Sequence, residues 1–143
     1  SKSSRECIFF LDQLDLMFSQ KQQIIQAIAS HSNGKDESVM GSILYLSDKL
    51  DVTYHRVENS SVHDFINQEF YKVKEVTCKI SQNQLAIDYQ VDTPFDFSIF
   101  KYWPKALKAP ILIGKRLKKE VHFFVNDGII ENQMINQIIE GSL

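Results

Sequence analysis

Apolar side chains recur along the first part of the chain at spacings of three and four. Cys7, Phe10, Leu11, Leu14, Met17 and Phe18 keep that rhythm, which lays residues along one side of an α-helix. Residues 4–31 therefore read as helical, with Ser19 capping a second helix through "QKQQIIQAIAS". The stretch "SNGKD" at 32–36 breaks the pattern. "ESVMGSILYLSDKL" restores it at 37–50, with Val39, Ile43, Leu46 and Leu50 as one stripe. Ser61 and Asp64 form a capping-box pair, which predicts a further helix near 62–74 with Val62, Phe65, Ile66 and Val73 as its apolar face.

The period then shortens to two. "EVTCKI" (75–80) and "LAIDYQV" (85–91) alternate around "SQNQ", the pattern of a β-hairpin. "DTPFD" (92–96) reads as a helix start, with Thr93 as N-cap, Pro94 at the first helical position and Asp96 at the third. That helix must end by Pro104, and Pro110 argues against one continuous helix across 105–119. Short strands are expected at 111–114 and 120–125, making a second hairpin near 111–125 with "KRLKK" at its tip. "NDG" (126–128) reads as a turn, and "IIENQMINQIIEG" as a final amphipathic helix closed by Gly141. The fold class that follows is α+β. N-terminal helices precede a small antiparallel sheet (hairpins near 75–91 and 111–125) and a C-terminal helix. All 143 residues are read as one domain, with a helical part at 1–74 and an α+β part at 75–143.

Composition changes this picture little, but charge changes it more. The formal charge is −2, yet it is unevenly spread. Residues 1–100 carry nine basic and 14 acidic side chains, residues 101–122 seven and one, and residues 123–143 none and three. Such segregation points to an anion-binding face or to a basic segment neutralised by acidic neighbours. Two cysteines, Cys7 and Cys78, form no metal-type spacing. Reduced thiols in a cytoplasmic protein are the plainest reading. The apolar run "CIFFL" is too short for a signal core or a membrane span. No membrane association is expected.

"LSDKLDVTYHRVENSS" (46–61) resembles the core of a helix-turn-helix. In that resemblance Leu46 and Leu50 face inward from the positioning helix, and Ser47 takes the small position where two helices cross. Val52 plugs the core at the turn, and Thr53 caps the recognition helix. Tyr54, His55, Arg56 and Asn59 then face outward toward bases and phosphates. A helix before and a hairpin after look like the order of the winged helix-turn-helix family. The chain departs from that pattern at Asp51, where the turn usually takes Gly, and at Ser60 and Ser61, where apolar residues are usual.

The stretch from Lys101 to Phe124 holds seven of the chain's 16 basic residues. As a hairpin tip, Lys115, Arg116, Lys118 and Lys119 would contact phosphates, and Tyr102 or Trp103 would stack on a base. Lysines also serve to blunt sheet edges, and Trp103 before Pro104 suits a core position. Arg56 and His63, with six residues between them, look like the paired Arg and His of the HEPN ribonucleases, whose helical fold the strand pattern at 75–91 contradicts. No HxxxH, GxxxxGK[ST], GxGxxG or GxSxG motif occurs, so neither catalysis, a cofactor nor a metal is expected.

Three readings remain. The first is a non-catalytic regulatory protein that binds nucleic acid through the helix-turn-helix-like segment and the basic tip. The second is a protein-interaction module, an inhibitor or immunity-type protein, that meets an acidic partner through a charged face. The third is a small hydrolase built on His63 or His122 with a carboxylate. Residual apolar surface at Ile8 and Phe9 would let a helix over 4–18 pair two copies into a homodimer.

Overall fold

The computed structural model describes residues 11–54 and 64–142. The chain divides into two compact units between Asp48 and Lys49. The fold is α+β, as the change of hydrophobic period implies.

The first unit is helical. Helix α1 (Phe18–Ser30) begins one residue before Ser19, with Met17 as its N-cap. The Met17 N–H donates to the Gln20 side chain, which satisfies one of the helix's early donors. Residues 12–17 are not helical, so the expected helical rhythm through Leu14 and Met17 is broken well before the second helix. Helix α2 (Val39–Leu50) is capped by Ser38, whose hydroxyl accepts from the Gly41 N–H. Its predicted inward stripe is only half right. Leu46 and Leu50 are buried, whereas Val39 is 66% and Ile43 50% exposed.

The second unit carries the sheet. Helix α3 (Phe65–Tyr71) is capped by Asp64 and ends short of residue 74, while the expected Ser61 cap and Val62 lie outside the described residues. It runs directly into strand β1 (Val73–Ile80), which pairs antiparallel with β2 (Gln84–Val91). This is the predicted hairpin, entered two residues earlier. The Thr93–Pro94 peptide is cis, and Asp96 caps a 3₁₀ helix over Phe97–Tyr102. The expected α-helix starting at Thr93 is therefore replaced by a later and tighter turn.

Residues 105–119 bring the main correction. No strand forms at 111–114. Lys105–Leu117 is one continuous helix, α4, with Pro110 inside it. Pro110 removes one backbone donor, but it is fully buried with Ala106, Leu107, Ala109 and Ile113, so packing outweighs the lost bond. Strand β3 (Glu120–Val125) forms where expected, yet its hairpin partner is β4 (Gly128–Ile130). Asn126 and Asp127 both adopt positive φ, the two-residue turn that matches strand twist. Ile129 and Ile130 thus belong to a strand, and the last helix, α5, spans Asn132–Glu140.

The four strands lie in the order β1-β2-β3-β4. The sheet is mixed rather than antiparallel, because β2 and β3 run parallel. A parallel pair needs a crossover, which the 3₁₀ helix and α4 supply. Along β2 the residues alternate strictly: Leu85, Ile87, Tyr89 and Val91 are buried, and Ala86, Asp88 and Gln90 are not. The buried face meets an aromatic cluster. Phe100 lies 4.9 Å from Tyr89 and from Phe97 between ring centroids, with Phe70 and Phe95 beyond.

Two side chains lock the crossover. Asn126 accepts from the Val91 N–H at 2.8 Å and donates to the Val91 carbonyl at 3.0 Å, acting as an extra rung beyond β3. Lys119 donates to the Ser81 and Gln82 carbonyls in the β1–β2 loop.

Candidate functional site

Helix α4 sorts its side chains sharply. Every buried residue lies on the side that holds Ala106, Leu107, Ala109, Pro110, Ile113 and Gly114. Lys105, Lys108, Leu112 and Lys115, spaced by three and four, occupy the opposite, exposed side. The helix sits close to the sheet at Gly114, where an added Cβ would come within 2.2 Å of Val121. Gly114 is therefore a contact glycine and not the chain break its type suggests. The helix ends in a left-handed residue, Lys118 at φ 54°, and the Lys119 N–H returns to the Gly114 carbonyl at 2.8 Å. This is the hydrogen-bond pattern of a Schellman cap, built with Lys where Gly is usual.

The four predicted phosphate contacts therefore separate. Lys115 and Lys118 are exposed. Arg116 is half-buried at the helix end. Lys119 is committed to the β1–β2 loop, so it is a structural anchor rather than part of a free tip. Lys105 and Lys108, which precede Pro110, join the exposed row instead.

The helix dipole helps to sort these lysines by purpose. Cations near a helix C-terminus are favourable, so Lys115 and Arg116 serve stability where they stand. Lys105 lies in the first turn, which carries no acidic residue, and there a cation opposes the dipole. Helix stability does not explain Lys105.

The residues leading into α4 are aromatic. Tyr102 is 37% and Trp103 38% exposed, which corrects the core position expected for Trp103. Both line a concavity of about 270 Å³ with Asp51, Val52, Thr53, Ile66, Asn67 and Phe70. The Lys101 ammonium stands 5.0 Å from the Tyr102 ring centroid.

The helix-turn-helix-like segment is described only in part. Leu46, Leu50 and Val52 are buried as that resemblance implies. Ser47 is exposed, and its hydroxyl donates to the Ile43 carbonyl. The Thr53 hydroxyl donates to Asp51 at 3.3 Å. The Tyr54 ring meets Tyr71 edge-on, and the Lys74 ammonium stands 4.8 Å from its centroid. Its ring is thus occupied by neighbours within the fold. His55, Arg56 and Asn59 lie outside the described residues, as do His63, Cys7, Ile8 and Phe9.

The sheet face away from the aromatic cluster holds a second group that periodicity did not reveal. Asp88 and Asp127 approach each other around Gln90, whose amide donates to both carboxylates at 3.2 and 3.4 Å. Partial burial, then the neighbouring Asp127, hold the Asp88 carboxyl above its usual range. Glu75, Thr77, Lys79, Ala86 and Phe124 complete a shallow groove there. Asp127 reaches Asp88 only because β2 and β3 are parallel, and no local sequence signal encodes that pairing. His122 lies 3.7 Å from Glu120. Cys78 is exposed with a free thiol, though partial burial still raises its pKa. Among the described residues no group of three or more His, Cys, Asp or Glu is placed to hold a metal ion. No helix among them is long and apolar enough to cross a membrane. No family model, curated protein or solved structure matches the chain.

Proposed function

We propose that this chain is a non-catalytic nucleic-acid-binding protein that engages phosphates through the exposed side of α4 and unpaired bases through Tyr102 and Trp103. The observation that carries this reading is the adjacency of two features in one stretch of chain. From Phe97 to Lys119 there are seven basic residues and no acidic one. Three of the lysines form an exposed row, and two exposed aromatic rings stand immediately before it. A positive track beside aromatic platforms is the usual chemistry of single-strand binding, since every base offers a face to stack on. An acidic protein partner would call for the lysines but not for the rings. The position of Lys105, unfavourable for its own helix, supports a role in binding.

Fluorescence anisotropy with labelled single-stranded and duplex oligonucleotides, titrated at several salt concentrations, tests the reading. Single strands should bind more tightly. For three phosphates neutralised, the logarithmic salt slope should be roughly −2, at about 0.7 per phosphate. Trp103→Ala should cost about 1–3 kcal/mol of binding. Lys105→Glu should abolish most binding while stabilising the free protein by about 0.3–1 kcal/mol, because it now complements the dipole. No binding at low salt would end the nucleic-acid reading and leave the lysine row to an acidic protein.

A further inference from the structure

Strand β1 is an edge. Its inner side bonds β2 along the whole hairpin, and nothing among the described residues bonds the backbone on its outer side. The opposite edge, β4, is only three residues long. Proteins usually blunt a long edge with proline, a bulge or charged side chains such as lysine; β1 carries Lys79, but Glu75 on the same face balances it. Strand β1 has no proline, and its one irregularity lies at its start, between Val73 and Glu75. From Glu75 to Ile80 the strand is regular, and Glu75, Cys78, Lys79 and Ile80 are exposed.

The charges along this edge are self-complementary. Glu75, Thr77 and Lys79 lie on the open sheet face, where they border one groove with Asp88 and Gln90. Glu75 and Lys79 are equidistant from Thr77 in sequence. If two copies of β1 pair antiparallel about a two-fold axis at Thr77, Thr77 meets its equivalent, and each Glu75 stands opposite a Lys79. Val76 then stands opposite Cys78 on the other face. Neighbouring registers lose this match. An axis at Glu75 or at Lys79 sets like charges against each other, and an axis at Val76 or Cys78 leaves both charges without an opposite partner. Opposed charges across a strand pair stabilise it and like charges destabilise it.

We propose that this protein forms a two-fold homodimer through antiparallel pairing of β1 with β1 of a second copy, centred on Thr77. Each sheet then extends into the other, giving one continuous sheet with the two open-face grooves meeting at the axis. The unpaired edge is removed by closure, as two-fold symmetry allows. This surface is separate from the lysine row on α4, so the inference stands apart from the nucleic-acid reading.

Charge exchange tests it. Sedimentation equilibrium over a concentration series should show a monomer–dimer equilibrium for the native chain. Glu75→Lys and Lys79→Glu, each alone, should raise the dimer dissociation constant on the order of tenfold or more, since each puts two like-charge pairs across the axis. The double variant E75K/K79E should recover the native constant. A mixture of the two single variants should also associate, because every Lys again meets a Glu. Both positions are exposed, so far-UV circular dichroism should be unchanged. A chain that stays monomeric overturns the proposal. So does a dimer indifferent to the single substitutions, or one that the double exchange fails to restore. A Cys78–Cys78 disulfide under mild oxidation in a Cys7→Ser background would place the axis at Cys78 and overturn the register.

Discussion

The two faces of strand β2 are made from alternate residues of one short segment, yet they obey different rules. Leu85, Ile87, Tyr89 and Val91 are closed under the aromatic cluster and α4. Ala86, Asp88 and Gln90, interleaved with them, face an open groove of carboxylates and amides. The backbone and register are shared, so only what covers each face differs. The covered face carries stability, and the open face stays free to titrate, pair or bind. A one-residue slip would exchange the two sets, so this contrast also fixes the register.

The contrast is broken most strongly at Phe100. Phe100→Ala removes the ring that touches four other aromatics and should cost about 3–5 kcal/mol in urea denaturation. Thr77→Ala on the open face should cost less than about 0.5 kcal/mol. Comparable costs would mean that the open face is covered after all.

Tyr89 sharpens the same comparison with the opposite sign. Its hydroxyl is buried with no hydrogen-bond partner among the described residues. Burial keeps the phenol neutral by pushing its pKa upward. Removing an unpaired buried hydroxyl relieves a desolvation cost, so Tyr89→Phe should stabilise the protein by about 1 kcal/mol, read as a higher urea midpoint. A loss of stability would show that the hydroxyl has a partner.

The smallest effect belongs to Asp88. Its folded-state pKa is raised by partial burial and by Asp127, so the folded protein binds more protons than the unfolded chain between the ordinary carboxylate value and the raised one. Stability therefore falls as pH rises through that window. Asp88→Asn should raise the melting temperature slightly at neutral pH, and the gain should vanish below the ordinary carboxylate pKa. Thermal melts across pH read this directly. A gain that persists at low pH would have a cause other than charge.

Much of this was legible in the chain. Alternation at 85–91 marks a strand, whose apolar positions are the covered ones, and "NDG" marks the turn at Asn126 and Asp127. Val52 is buried. The failures have specific causes. Pro110 and Gly114 look like breaks, but a buried proline and a glycine pressed against Val121 both serve packing inside α4. The spacing therefore puts Lys115 in a loop tip, whereas it belongs to a helical row with Lys105 and Lys108, which precede Pro110. Lys118 ends the helix in a conformation usually held by glycine, so the stop carried no clear signal. In α2, spacing puts Val39 and Ile43 on the apolar stripe but does not say that both stay exposed. The Asp88–Asp127 approach depends on parallel pairing across residues 92–119, which is invisible to any local window.

That same parallel pairing has a kinetic consequence. The β1–β2 and β3–β4 hairpins each close over a short loop, whereas β2 and β3 meet only after the 3₁₀ helix and α4 have bridged them. Chain closure over a longer separation costs more entropy before any contact repays it. The two hairpins are therefore expected to assemble early, and the seam between them last. The Asn126 and Lys119 side chains that fasten the seam would then act mainly as brakes on unfolding, with little influence on how fast the chain folds.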